Sequence, residues 1–272
     1  MSHYLKLVHM EIHRFRYPLA AMMGLTLVWQ MVTLIIHVNG KLDRAADALI
    51  HNLLVNGAAL ERFSFADMIP GMLYSLPILA CIAALSVYVF LIWYRDWYGR
   101  VSFIYRLLML PASRKHVYLA KLTAIVLLVL GMLSFQLLLL PVEQWVFKLI
   151  VPAEHFEAST FGDVVSANLV LDVLLPRNFD RFALSYLLGI AAVIVIFTAI
   201  LLERSYRLAG ILYAVGYASI CTFVFLYTMY LMWTGSYLYP EEIIAIEFAI
   251  GILITAVSIW LGFRLLKKKI TV

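Results

Sequence analysis

Charge is what this sequence has least of. Asp, Glu, Lys and Arg together make up 14% of its 272 residues, against 64% hydrophobic. Soluble domains carry about 25% charged and about 45–50% apolar residues, so the shortage excludes a soluble globular protein. Cysteine is nearly absent too. Cys81 and Cys221 both fall inside apolar runs, which excludes a disulfide framework or thiolate metal site and leaves them as small packing residues. There is no G-x-x-x-x-G-K-[ST] phosphate loop, since "NGKL" at Asn39 lacks the upstream glycine. The chain itself is therefore not expected to bind ATP. Nor is there an H-E-x-x-H: "HMEIH" at 9–13 has the wrong order, and Lys6, Arg14 and Arg16 beside His9 and His13 would repel a dication. No chain of carboxylates or bases runs through the apolar runs, as a proton-driven transporter needs. No catalytic residue, metal ligand or cofactor site is assigned, and nucleic acid is not an expected partner.

What is present is hydrocarbon. Six runs reach the roughly 20 apolar residues that cross a bilayer: 18–38, 69–94, 122–141, 182–202, 208–233 and 243–266. They predict an all-α, polytopic protein whose residues 1–272 form a single membrane domain. The first run follows seventeen mostly polar residues, is too long for a signal-peptide core and is expected to be retained. The N-terminus, the 95–121 and 203–207 connections and the C-terminus hold fifteen Lys/Arg against three Asp/Glu. The other three connections, with Glu247, hold six against thirteen. The positive-inside rule then predicts both termini in the cytoplasm, with "RLLKKK" at 264–269 anchoring the last span.

Residues 3–16 read as an amphipathic helix lying at the membrane surface. Tyr4, Leu5, Val8, Ile12 and Phe15 share one face, the basic residues take the other, and lipid is the expected partner. Pro18 is expected to turn this elbow into the bilayer. Outside, "DRAADALIHNLL" at 43–54 predicts a short helix, and 164–175 predicts a surface or re-entrant helix in the long acidic connection. Glu247, about one turn inside the last span, is an intramembrane ionisable residue and so a functional candidate. Gln30, Ser75, Ser86, Gln136, Ser219 and Thr222 are expected to bond a neighbouring helix or their own backbone. Gly210, Ala214, Ala218 and Thr222 form a small-xxx-small stripe for close helix packing, either within the chain or against a second one. Pro77 allows a kink in the second span.

One stretch fits neither bilayer nor water. "RDWYGRVSFIYRLLMLPASRKHVYLAKL", 95–122, carries six cations and one acid, yet eight of the ten residues 101–110 are large and apolar. Wound as a helix over 98–110, it puts Tyr98, Val101, Ile104, Tyr105 and Leu108 on one face. Phe103, Leu107 and Leu110 lie opposite, around Arg106. The first face can rest on the membrane helices. The second needs another cover, and an apolar patch of this size marks an interaction site. Pro111 ends the helix and Ser113 can cap the next.

The run "YRDW" closing the second span, the short helix, "LLMLPASR" and a lysine seven residues later resemble the ABC-2-type permeases, the membrane subunits of ATP-binding-cassette exporters. The basic elbow, six spans and basic tail extend the resemblance over the whole chain. It implies that the 98–110 segment is a coupling helix docked on a separate ATPase subunit, which would bind the ATP and Mg. Asp96, Trp97, Gly99, Arg106, Leu110, Pro111 and Arg114 would lie at or beside that contact, with Lys121 at the foot of span three. The second-face residues Phe103 and Leu107 would add to it. Asp96 stands where the family commonly has Glu, and Gly99-Arg100 where it often has Gly-Thr. The implied function is the permease subunit of an exporter in a bacterial plasma membrane, paired with a second permease copy or paralogue. Nearly uncharged spans suit a hydrophobic or amphipathic cargo such as a peptide antibiotic, a drug or a lipid. The alternative is an intramembrane enzyme or a non-transporting accessory subunit, which would need no stoichiometric ATPase.

Overall fold

The computed structural model describes residues 3–53, 62–98, 114–233 and 239–268. Almost all of them are helical. In chain order the elements are α1 (His3–Leu53), β1 (Phe63–Ser64), a 3-10 turn (Phe65–Met68), α2 (Met72–Tyr98), α3 (Arg114–Ile150), β2 (Phe156–Glu157), α4 (Phe161–Ala167), α5 (Leu169–Leu174), α6 (Phe179–Trp233) and α7 (Pro240–Lys268). Six segments within them are long and apolar enough to cross a membrane: Tyr4–Asp47, Met72–Trp97, Arg114–Ile150, Phe179–Tyr206, Ala209–Tyr227 and Ile244–Lys267. This is a multi-pass membrane protein.

The fifth segment follows the fourth without a break in helical assignment, yet the chain must reverse between them. A Cβ on Gly210 would stand 2.7 Å from the Leu202 carbonyl oxygen, whereas eight residues of straight helix rise about 12 Å. Thr198 and Tyr217 both reach Ser258, through its carbonyl at 3.1 Å and its hydroxyl at 2.5 Å. Nineteen residues of straight helix would hold them about 28 Å apart. So α6 doubles back around 203–210, and only glycine fits at position 210.

Residues form two compact units. The first comprises Met1–Arg14, Leu85–Leu127 and Ala183–Val272. Its centre is aromatic: the Phe197 ring meets Trp93 and Tyr118 edge-on at 5.5 Å, and Tyr118 meets Phe263 in the same way. Gly262 lets this pack, since a Cβ there would press on the Tyr118 ring at 3.3 Å. A smaller apolar group of Leu7, Val8, Val117 and Ala120 seats the first turns of α1 on the start of α3.

The second unit comprises Phe15–Ala84 and Leu128–Phe182. Leu34, Val38, Phe65, Met68, Ile69, Leu140 and Phe147 are among its fully buried residues. β1 and β2 pair in parallel, Phe63 opposite Phe156 and Ser64 opposite Glu157. Gln136 donates to Gln30 across α3 and α1 at 3.3 Å, the interhelical bond expected of in-span polar residues. The predicted helix over 164–175 is instead two helices, α4 and α5. Asn168 breaks it by adopting an extended backbone and capping α5, its side-chain Oδ1 accepting from the Val170 and Leu171 N–H groups. Its side-chain nitrogen donates to Ile69 O and Ser75 Oγ, each at 2.8 Å, so the segment is anchored to the core through Val164, Val165, Asn168 and Leu171 while Leu169 and Val173 stay exposed.

Two other expectations change. Pro18 does not separate an elbow, because α1 runs unbroken from His3 through Pro18 to Leu53. Proline leaves one carbonyl unpaired and crowds the preceding turn; here Pro18 is exposed and the helix continues through it. The same helix absorbs the predicted separate helix at 43–54. Leu34, Val38, Leu42 and Ala45 continue one packed stripe past the end of the apolar run, so nothing stops the helix at 39–42. Likewise α2 passes through Pro77, and α3 continues past Pro141 to Ile150.

Candidate functional site

Within the first unit, α1, α2 and α3 each contribute charge to one buried point. Lys121, at the start of the third turn of α3, is 1% exposed. Its ammonium donates to Glu11 Oε1 at 2.8 Å, Asp96 Oδ2 at 2.5 Å and the Ile92 carbonyl at 2.8 Å. A lysine ammonium has three protons, and all three are used. The ammonium also lies 5.4 Å from the centre of the Trp93 ring, a cation–π distance. Glu11 and Asp96 are each 2% exposed. The second oxygen of Glu11 accepts from Arg95 at 2.8 Å, and that of Asp96 from Arg14 at 3.2 Å. Both arginines keep contact with the surface.

Three cations thus meet two carboxylates, alternating along the chain Arg95–Glu11–Lys121–Asp96–Arg14. Two buried carboxylates sharing one ammonium would repel each other if that ammonium left. Desolvation makes such a group costly to rearrange and costly to break. Its chemistry is therefore mechanical: it holds three helix ends at a fixed spacing and offers no free base, nucleophile or metal ligand. Among the described residues no cluster of three or more His, Cys, Asp and Glu could hold a metal ion.

The cluster decides how α1 is seated. The apolar face anticipated over 3–16 was Tyr4, Leu5, Val8, Ile12 and Phe15. The buried residues are Leu7, Val8, Glu11 and Phe15, and Leu5 is exposed. The helix is rotated toward Glu11, because giving that carboxylate its two cations outweighs covering one more leucine. Tyr4 adds a hydrogen bond to Thr123 at 2.6 Å.

The residues singled out in the sequence distribute as follows. Asp96 is enclosed by the chain's own Lys121 and Arg14 rather than offered to a surface. Trp97 sits in the last turn of α2 under the Arg204 guanidinium, 5.6 Å from the ring centre. Its indole N–H is buried with no acceptor among the described residues. Arg114 donates to the Leu266 carbonyl at 2.8 Å, closing the last turn of α7, where a cation suits the exposed carbonyls. Gly99, Phe103, Arg106, Leu107, Leu110 and Pro111, and with them the helix anticipated over 98–110, lie outside the described residues apart from Tyr98.

The small-residue stripe serves two purposes inside the first unit. Gly210 makes the tight reversal. Ala218 and Thr222 border a hollow between the two halves of α6 and α7, and Ala214 is half-buried.

Glu11 is the residue that sequence reasoning passed over. A signal existed: it lies one turn from Leu7, Val8 and Phe15 on the same face, a carboxylate set within an apolar stripe. Comparison with family models, with curated proteins and with solved structures finds no match for the chain.

Proposed function

We propose that this chain is the permease subunit of an ATP-driven exporter of the ABC-2 type, paired with a second permease and a separate ATPase. Both termini and the 99–113 connection lie in the cytoplasm of a bacterial cell, and the protein sits in the plasma membrane. The cargo is hydrophobic or amphipathic. One observation carries the reading: an ion cluster with Lys121, Glu11 and Asp96 buried at its centre joins the N-terminal turns of α1 to the last turn of α2 and the early turns of α3. Those last two turns flank the stretch whose apolar residues need a cover.

A permease needs such a joint. An ATPase docked on 99–113 can do work on the spans only if its push reaches several helices at once. Ends pinned by buried charge move as one body, because parting them strands a carboxylate in a low-dielectric interior. Asp96 then has an internal duty: it transmits from the docking segment rather than touching the partner. Phe103, Leu107 and Leu110 supply the docking surface, with Arg106 setting register. The resemblance of the 95–122 stretch to ABC-2 permeases agrees with this assignment and supplies the identity of the partner.

The test is purification of the tagged chain from its own cells. A stoichiometric partner carrying a phosphate-loop motif is expected. Truncating buried interface anchors costs about 2 kcal/mol or more, so Leu110→Asp with Arg106→Glu should lose the ATPase while membrane insertion stays normal. Full retention of the ATPase by the inserted double variant, or no ATPase with the parent chain, would overturn the exporter reading.

A further inference from the structure

A hollow of about 300 Å³ lies in the first unit, between the two halves of α6 and α7. Leu188 and Val195 face it from the first half, Ala218, Cys221 and Phe225 from the second, and Gly251 from α7. Apart from the thiol of Cys221 and the hydroxyl of Thr222, every side chain in its wall is hydrocarbon. Small-molecule sites begin at about this volume and combine apolar walls with a few placed polar groups. Gly251 keeps the space open; a Cβ there would already touch Leu188 at 3.4 Å.

The polar group is one turn away. Glu247 precedes the wall residues Ile250 and Gly251 by three and four positions, so it stands on the same face of α7. It is 4% exposed, and its Oε1 has no hydrogen-bond partner among the described residues. None of the ion pairs among those residues includes it. The adjoining stretch 234–238, "TGSYL", carries no basic residue. The contrast with Glu11 is direct: among the described residues one buried carboxylate is given two cations, the other none. An enclosed carboxylate inside a span is ionised only beside a counter-charge and is otherwise held as the neutral acid; no described residue pairs with this one, so a cation bound from outside the chain would supply that charge. A metal ion fits poorly, since hard cations require several oxygen ligands and the hollow supplies hydrocarbon.

We propose that the hollow and Glu247 form one binding site for a lipophilic organic cation, its ammonium at the Glu247 carboxylate and its apolar body between α6 and α7. The site does not depend on an ATPase: the isolated chain contains all of it.

Equilibrium binding of tritiated hexyltrimethylammonium to the purified full chain in lipid nanodiscs tests this. Saturable binding is expected. Competition by hexanesulfonate, of equal length and opposite charge, or by neutral hexanol should be at least about tenfold weaker than by unlabelled cation, the factor that a charge-assisted contact supplies. Glu247→Gln should weaken binding by a similar factor, Glu247→Asp less, and Ala218→Leu should block it by filling the hollow. Absence of saturable binding in the parent chain would overturn the site. Equal competition by hexanesulfonate, or parent-like affinity in Glu247→Gln, would mean that the hollow takes a hydrocarbon chain indifferent to charge, and would overturn the cation assignment. Should Glu247→Gln fail to fold, the competition series on the parent chain decides alone.

Discussion

Replacing Lys121 by Met removes the central charge of the buried cluster while keeping the length of the side chain. The change leaves Glu11 and Asp96, each 2% exposed, without the ammonium that sat 2.8 and 2.5 Å from them. Removing one partner from a buried ion pair costs about 3–5 kcal/mol. The lower end applies, because Glu11 keeps Arg95 and Asp96 keeps Arg14. A loss of about 3 kcal/mol is expected. Glu11→Gln should cost less, since Lys121 retains Asp96 and the Ile92 carbonyl. The two changes together should cost at least about 1 kcal/mol less than their sum, as residues in one network do. Unfolding by SDS in mixed micelles, followed by tryptophan fluorescence, measures all three; Trp93 lies against the Lys121 ammonium and reports the site directly. A loss below about 1 kcal/mol for Lys121→Met, the size of an exposed pair, or strict additivity of the double variant, would refute the idea that the three helix ends are locked by charge.

Three further outcomes are expected. Gly210→Ala should destabilise by about 1–3 kcal/mol in the same unfolding assay, because its Cβ would collide with backbone at 2.7 Å rather than with a movable side chain. Asn168→Ala should cost about 2–3 kcal/mol, since it removes the α5 cap and leaves Ser75 and Ile69 O without their donor; a loss under about 0.5 kcal/mol would deny Asn168 that role. The Asp163 carboxyl is held below its ordinary pKa by the Thr160 side chain and then its backbone, so its contribution is present above the unfolded pKa near 3.9. That contribution is lost as pH falls through the lower folded value, so amide protection at the start of α4 should drop below about pH 4. Thr160→Ala should remove that pH dependence.

The membrane class was legible because six long apolar runs leave little else possible, and the paired fourth and fifth spans could be separated by the charges at 203–207. Element ends were not legible. Hydropathy stops α1 at Val38, yet Leu42 and Ala45 carry the helix onward by packing in a core that the linear sequence does not display. Asn168 looked like an ordinary polar residue within a helical stretch; its ability to cap a helix depends on Ser75 and Ile69, more than ninety residues earlier. The charge cluster was hidden for the same reason. In the sequence Arg95, Asp96 and Lys121 read as charges at the ends of apolar runs. Nothing local distinguishes a lysine facing water from one facing two carboxylates.

Glu11 and Lys121 are separated by 110 residues, and that separation sets a timetable during synthesis. At about 5–20 residues per second, the carboxylate leaves the ribosome roughly 5–20 s before its ammonium. Arg95 arrives earlier, but still 84 residues after Glu11. During that interval the first turns of α1 have no finished seat, and their anionic residue must stay in contact with water, lipid headgroups or the insertion machinery. The first turns of α1 settle only once the start of α3 has been made, and their burial records that the third span has arrived.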